Sequence, residues 1–306
     1  MKNQKPEQSP TPVVEVSGVT VRRNRILYRV AGILMAVAAL AFVVIDLYPY
    51  LFSVIASLRG GNDVYSTGWK LSDLTLYAYQ RILVNVRANE QLDLTRWMAN
   101  SAFVAITVTG FTLLFCSLAG YALARLEFRG KKFWFSMILA VMMVPGQVTM
   151  ISKYILITKV FGWFNSYTGL IVPFLFSPYY TFMMRQFFLS FPKEIEEAAI
   201  MDGMSRFGVF TKMVLPLSKS PLMTAGILLF MGSWGSYLWP KLLITSSDKF
   251  MIQQGMTFLM NKSAYGSTPA IPIAASIVTM LPLLILFTIF QKQIMLSVAN
   301  TGSKGA

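Results

Sequence analysis

The chain has 306 residues, 55% of them apolar and 13% charged, with a mean hydropathy of +0.56 and a net charge of +14. A water-soluble domain would carry about 25% charged residues, so the composition points to a chain dissolved in lipid. With no histidine and a single cysteine, Cys116, the sequence excludes Ser-His-Asp and Cys-His nucleophiles, histidine-bearing metal sites and an intrachain disulfide, and no cofactor is expected.

In chain order, residues 1–29 read as a cytoplasmic tail. Pro6, Pro10 and Pro12, with no long apolar run in 1–20, predict disorder there. The first apolar stretch, 30–58, is far longer than the core of a cleavable signal and reads as a retained anchor. It carries Asp46, the one acid inside a predicted span, for which a water-facing role and an inter-helix hydrogen bond are both open. Five further stretches approach the roughly 20 residues that a bilayer-crossing helix needs: 98–124, 133–151, 167–184, 221–240 and 271–290. Pro173, Pro178, Gly232 and Gly235 interrupt the fourth and fifth, which a membrane tolerates where neighbouring helices or a wet cavity satisfy the freed backbone. The predicted fold is therefore all-α with six transmembrane helices in one domain, 30–290, and a short cytoplasmic C-terminal tail, 291–306.

The segments between spans set the orientation. Those that face inward if the N-terminus is cytoplasmic carry 17 of the 27 Lys and Arg, concentrated in Arg22, Arg23, Arg25 and Arg29 and in Arg125, Arg129, Lys131 and Lys132. Both termini are therefore predicted on the cytoplasmic side. Basic residues that flank spans match anionic lipid headgroups, not a nucleic-acid stripe, and no nucleic-acid partner is expected.

The loop 190–217 is unlike an ordinary connection. Pro192 stands at a helix start, and Glu194, Glu196 and Glu197 complement the positive end of its dipole. Ile195, Ala198, Ala199 and Asp202 share a helical face of mostly small side chains. Gly203 permits a reversal, Ser205 can cap a second helix carrying Phe207, Phe210 and Val214, and Pro216 should stop it. The product is an elbow on which another backbone could come close, with Glu196 or Glu197 able to accept hydrogen bonds from it. A loop of this kind lying on the membrane or on its own bundle is the competing reading.

On the fifth span, Trp234, Tyr237 and Trp239 beside Ser233 and Ser236 offer stacking platforms and polar groups of the kind that suit sugar rings. An interfacial aromatic belt would use the same residues. Asn100 and Gln147 could hydrogen-bond a hydroxyl or join helices. No Gly-x-x-x-x-Gly-Lys-[Ser/Thr] loop occurs in the sequence, so ATP hydrolysis is expected in a separate subunit and this chain is not expected to be an enzyme. A lipid-modifying membrane enzyme would need acids, histidines or cysteines gathered at one face. A proton-coupled carrier would need several intramembrane ionisable groups and an internal repeat.

The pattern Glu197-Ala198-Ala199, then Gly203, then Leu215-Pro216 closely resembles the EAA loop of binding-protein-dependent ABC importer permeases, with Met213 where the pattern usually has Ile. Val214–Lys219, Gly232-Ser233-Trp234, Tyr237–Pro240, Asn100-Ser101, Val144–Gln147 and Gly169–Ile171 resemble its MalG-like carbohydrate-uptake branch. Two places depart from it: Gly235-Ser236, where many relatives have Asn-Asp, and the C-terminal Ser297–Gly305. The resemblance implies a type I ABC importer permease in a bacterial or archaeal cytoplasmic (inner) membrane. Its implied partners are a second permease subunit, two ATP-binding cassette subunits that grip Glu196, Glu197, Ala198, Ala199, Asp202, Gly203, Leu215 and Pro216, and an extracytoplasmic solute-binding protein. The cargo it implies is a sugar or oligosaccharide, with a phosphorylated polyol or other non-sugar solute as the alternative.

Overall fold

The structure, a computed structural model, describes residues 18–59, 64, 73–83, 93–261 and 268–302. The described residues are helical, with one isolated bridge between Arg59 and Leu74 and no sheet among them. The chain divides into two compact units, 1–53 and 54–306. The described part of the first is the body of α1 (Gly18–Ser57). Its Leu27–Ser57 portion, with a mean hydropathy of 2.6, is long enough to cross a bilayer. Asp46 is exposed within it. Most of the stretch predicted to be disordered lies outside the described residues, and residues 18–29 of the predicted tail are helical, opening α1.

The second unit is organised on α3 (Leu94–Arg125), after a short α2 (Tyr77–Leu83). The Asp93 carboxylate caps α3 by accepting the Arg96 N–H at 2.9 Å. Leu94, Trp97, Ser101, Val104, Val108, Thr112, Cys116, Gly120 and Ala124 are buried at three- and four-residue steps, so one stripe of the helix faces protein along its whole length. Small residues dominate its second half. A methyl group on Gly120 would lie 2.9 Å from the Met184 Cβ and 3.0 Å from the Arg185 backbone nitrogen, so α3 and α7 (Pro178–Leu189) meet nearly backbone to backbone. Where lipid is as apolar as the side chains, such close packing holds helices together.

Between these two lie α4 (Lys131–Met142), α5 (Met150–Ile155, extended by a π turn to Val160) and α6 (Tyr167–Ile171, extended by a 3-10 turn to Phe174). After α7 come α8 (Lys193–Met201), α9 (Arg206–Val209, extended by a π turn to Val214) and α10 (Leu215–Leu217). The chain ends with α11 (Lys219–Trp234), α12 (Leu238–Leu243), α13 (Ile252–Met260) and α14 (Ala270–Gly302).

Three described helices are each long and apolar enough to cross a membrane: Leu27–Ser57, Leu94–Arg125 and Ala270–Gln291. Arg206–Leu217 with Lys219–Trp234 qualifies as a fourth only as a pair bent by 77°. The predicted spans 133–151, 167–184 and 221–240 are thus not continuous helices. Pro145 has no N–H to continue α4, Pro173 and Pro178 divide α6 from α7, and the helix stops at Trp234 before Gly235. The segment predicted as the C-terminal tail is helical as far as Gly302, continuing α14.

Two separate cores flank the middle of α3. One gathers Val104, Val108, Ile157, Leu170, Trp239, Leu243, Ile244 and Met251. The other gathers Tyr121, Ala124, Met184, Phe188, Ala199, Val209, Phe210, Val214 and Ala225. Val108 and Tyr121 are separated by about 20 Å at 1.5 Å per residue along the helix. Each core underlies one candidate site.

Candidate functional site

The elbow is assembled by local signals. Pro192 occupies the cap position of α8, with Glu194 and Glu196 in the first turn. At the other end Gly203 sits at φ +87°, a left-handed conformation that glycine adopts without strain. The Gly203 N–H donates to the Ile200 carbonyl and the Met204 N–H to the Ala199 carbonyl, each at 3.0 Å, closing the helix in a Schellman turn. Ser205 Oγ then accepts the Gly208 N–H at 3.1 Å and starts α9. Pro216 does not end the helical path: α10 continues to Leu217, and the chain turns sharply at Ser218 into α11.

Burial divides the predicted coupling residues into two sets. Glu196 and Ala199 face inward, 8% and 5% exposed. Glu197, Ala198, Asp202, Gly203 and Pro216 are exposed, and Leu215 is half-buried. Ala198 is thus the more accessible of the two alanines, and Ala199 lies deeper. The Arg125 guanidinium, at the last residue of α3, lies 3.0 Å from the Glu196 carboxylate. It also donates to the Phe191 carbonyl, and the Tyr121 hydroxyl donates to Glu196 at 3.5 Å. Glu196 is thus bound within its own chain and is not open to a partner, whereas Glu197 is. An open groove of about 450 Å³ runs between α8 and Met204 and Met213, bordered by Glu194, Ile195, Ala198 and Asp202 with Ala199 at its floor. Met201 and Phe207, 86% and 68% exposed, add apolar surface to the same projection.

The second site is a cavity of about 340 Å³ where the broken helices meet. Phe174, Ser177 and Pro178 line it from the α6–α7 break, and Gly232, Ser233, Ser236 and Trp239 from the α11–α12 break. Side chains of α3 satisfy the backbone freed at the first break: Thr112 Oγ1 donates to the Phe174 carbonyl at 2.7 Å, and Cys116 Sγ donates to the Ser177 carbonyl at 3.4 Å. Interrupted backbone of this kind, supported by neighbours and facing a cavity, is how membrane proteins build solute sites. Lys153 enters the cavity from α5, its ammonium 4.9 Å from the centre of the Phe174 ring and 5.9 Å from that of Trp239.

Of the predicted solute-path residues, Trp239 with Ser233 and Ser236 comes to this cavity. Trp239 is held by its indole N–H on the Gly169 carbonyl at 3.1 Å. Trp234 points elsewhere: it is 2% exposed and donates to the Thr279 carbonyl of α14 at 3.3 Å. The Tyr237 hydroxyl accepts from Lys241 at 2.7 Å. Asn100 joins segments, donating to the Asp248 and Phe250 carbonyls and accepting from the Tyr167 hydroxyl. Gln147 is exposed in the break after α4. Sequence reasoning missed Lys153 and Phe174, although a lysine directly after an apolar run and a phenylalanine following Pro173 were the available signals. It also read Arg125 only as a topology determinant.

Helices broken about a cavity, joined through a long helix to an exposed elbow, define a membrane permease subunit. The family description that matches residues 116–298 is the binding-protein-dependent transport system inner membrane component. The arabinooligosaccharides transport system permease protein AraQ of Halalkalibacterium halodurans is 33% identical over 272 residues, covering 88% of this chain and 94% of that relative. The trehalose/maltose transport system permease protein MalG of Thermococcus litoralis is 28% identical over 286 residues, covering 92% and 99%. In fold, the chain is similar to one in the crystal structure of a bacterial ABC transporter involved in the import of the acidic polysaccharide alginate. That similarity has a TM-score of 0.76 at 23% identity, over 92% of this chain and 99% of the other. The chain belongs to the family of binding-protein-dependent transport system inner membrane components.

Proposed function

We propose that this chain is one of two membrane-spanning subunits of an ABC importer for sugars or oligosaccharides, in a bacterial or archaeal cytoplasmic membrane with both termini inside. The broken segments count as single crossings, so that α4 with α5, α6 with α7, and α11 with α12 complete six spans around residues 30–290. The cytoplasmic elbow, 190–217, docks on an ATP-binding cassette subunit through Glu197, Ala198, Asp202 and Gly203, while a solute-binding protein delivers cargo to the opposite face. Relatives named for arabinooligosaccharides and for trehalose and maltose support carbohydrate as the cargo class.

The observation that carries the reading is the two-sidedness of the elbow. Its inner side is tied to α3 by the Arg125–Glu196 pair, and its outer side is an open groove with exposed methionine and phenylalanine. A lever has this form: rigidly joined to the part it moves, and exposed where it is gripped. Alternating access then becomes a rigid-body switch between two packings, driven from outside the chain.

The test is to replace Gly203 with valine, and separately Glu197 with lysine, in the reconstituted transporter. Valine at φ +87° strains the turn, and lysine reverses the charge presented to the partner. Both variants are expected to remain in the membrane while ATP hydrolysis no longer drives uptake. Unchanged uptake per ATP in both would contradict the elbow as the coupling element.

A further inference from the structure

Lys153 is the one charged side chain among the described residues lining the cavity between the broken helices. It is set against the faces of Phe174 and Trp239, each within about 6 Å, the range in which an aromatic ring attracts a cation. Those rings hold the ammonium without neutralising it. Among the described residues the ion pairs of Arg96 with Asp248, Arg125 with Glu196 and Lys131 with Glu127 do not involve it. The rest of the lining is aromatic and aliphatic, with the hydroxyls of Ser177, Ser233 and Ser236. A neutral sugar would use the rings and the hydroxyls but leave a positive charge, already partly removed from water, without a counter-charge. An acidic sugar would use all three. At about 340 Å³ the space is at the small end of ligand cavities, enough for a single sugar residue with its charged substituent.

We propose that this cavity is a subsite for an anionic sugar residue, with the Lys153 ammonium paired to a carboxylate or sulfonate on the cargo and the sugar ring stacked against Trp239. This rests on the carbohydrate-importer reading above and adds the charge of the cargo to it. Lys153 then acts as a selectivity residue: it discriminates acidic from neutral saccharides by supplying a charge-assisted hydrogen bond in a site of low dielectric.

The experiment is uptake by proteoliposomes holding the full transporter with its solute-binding protein, using matched pairs of saccharides. Digalacturonate is compared with galactobiose, and cellobiouronate with cellobiose. The acidic-to-neutral uptake ratio is read within each variant, so differences in assembly cancel. Uptake of at least one uronate by the wild type is expected, with a ratio about tenfold or more lower in Lys153→Gln and largely restored in Lys153→Arg. Uptake of neutral members alone, or a ratio unmoved by Lys153→Gln, overturns this proposal and leaves the carbohydrate reading in place. Arabinobiose and maltose are run as controls: uptake of either with none of the four overturns this proposal alone, and uptake of none of the six overturns both.

Discussion

The contact with most mechanical consequence is the Arg125–Glu196 pair. Its side chains are 5% and 11% exposed, so each charge has left water and depends on the other. Removing one member of such a pair leaves an uncompensated buried charge and typically costs roughly 3–5 kcal/mol, whereas replacing both with apolar groups is often neutral. Glu196→Gln and Arg125→Gln should therefore each lower the thermal midpoint of the detergent-solubilised protein. Glu196→Leu combined with Arg125→Leu should recover much of that loss. Thermal unfolding of the three variants checks this, and equal stability for both singles and the wild type would show that the elbow is held by packing alone. Glu197, one residue along, is exposed and has no such dependence; neighbouring glutamates in one motif serve opposite sides of the helix.

Among the elements, α3 carries the architecture because its small residues let α7 approach. Gly120→Val would place branched carbons where the Met184 Cβ and the Arg185 nitrogen already lie about 3 Å from a single added methyl. Overpacking of this kind costs about 1–3 kcal/mol, and α7 can yield only by moving away from α3. A lowered thermal midpoint for Gly120→Val, with Gly232→Val much less affected, is the expected result, since nothing lies within 4 Å of a methyl on Gly232.

The elbow was legible in the sequence because its signals are local: Pro192, Gly203 and Ser205 act within a turn of where they stand. Pro173, Pro178 and Gly235 marked the breaks in the fourth and fifth spans, whereas the one in the third was harder to read, since the residues on both sides of Pro145 are equally apolar and hydropathy sees one run. Which tryptophan meets the cavity was not legible at all. Trp234 and Trp239 differ in surroundings only because the chain bends between them, and Trp234 is drawn to a carbonyl of α14 distant in sequence. Glu196 turns inward for the same kind of reason, as its partner Arg125 comes from another helix.

For the whole molecule, α3 joins the two sites: the cavity meets Val104 and Val108, and the elbow meets Tyr121 and Arg125. The Arg125–Glu196 pair and the unbroken α3 connect α8 to the wall of the cavity, the route along which the proposed lever would act. The outer side of the elbow is, in the proposed function, the place where an ATP-hydrolysing subunit takes hold. The most direct measurement places a cysteine at Met201, 86% exposed at the tip of α8, and cross-links it in membranes that also contain the transporter's ATPase subunit bearing single cysteines along its surface. A covalent heterodimer of permease and ATPase is expected from Met201→Cys, and none from a control cysteine at Leu139 on α4. Cross-linking at Leu139 but not at Met201 would contradict that docking.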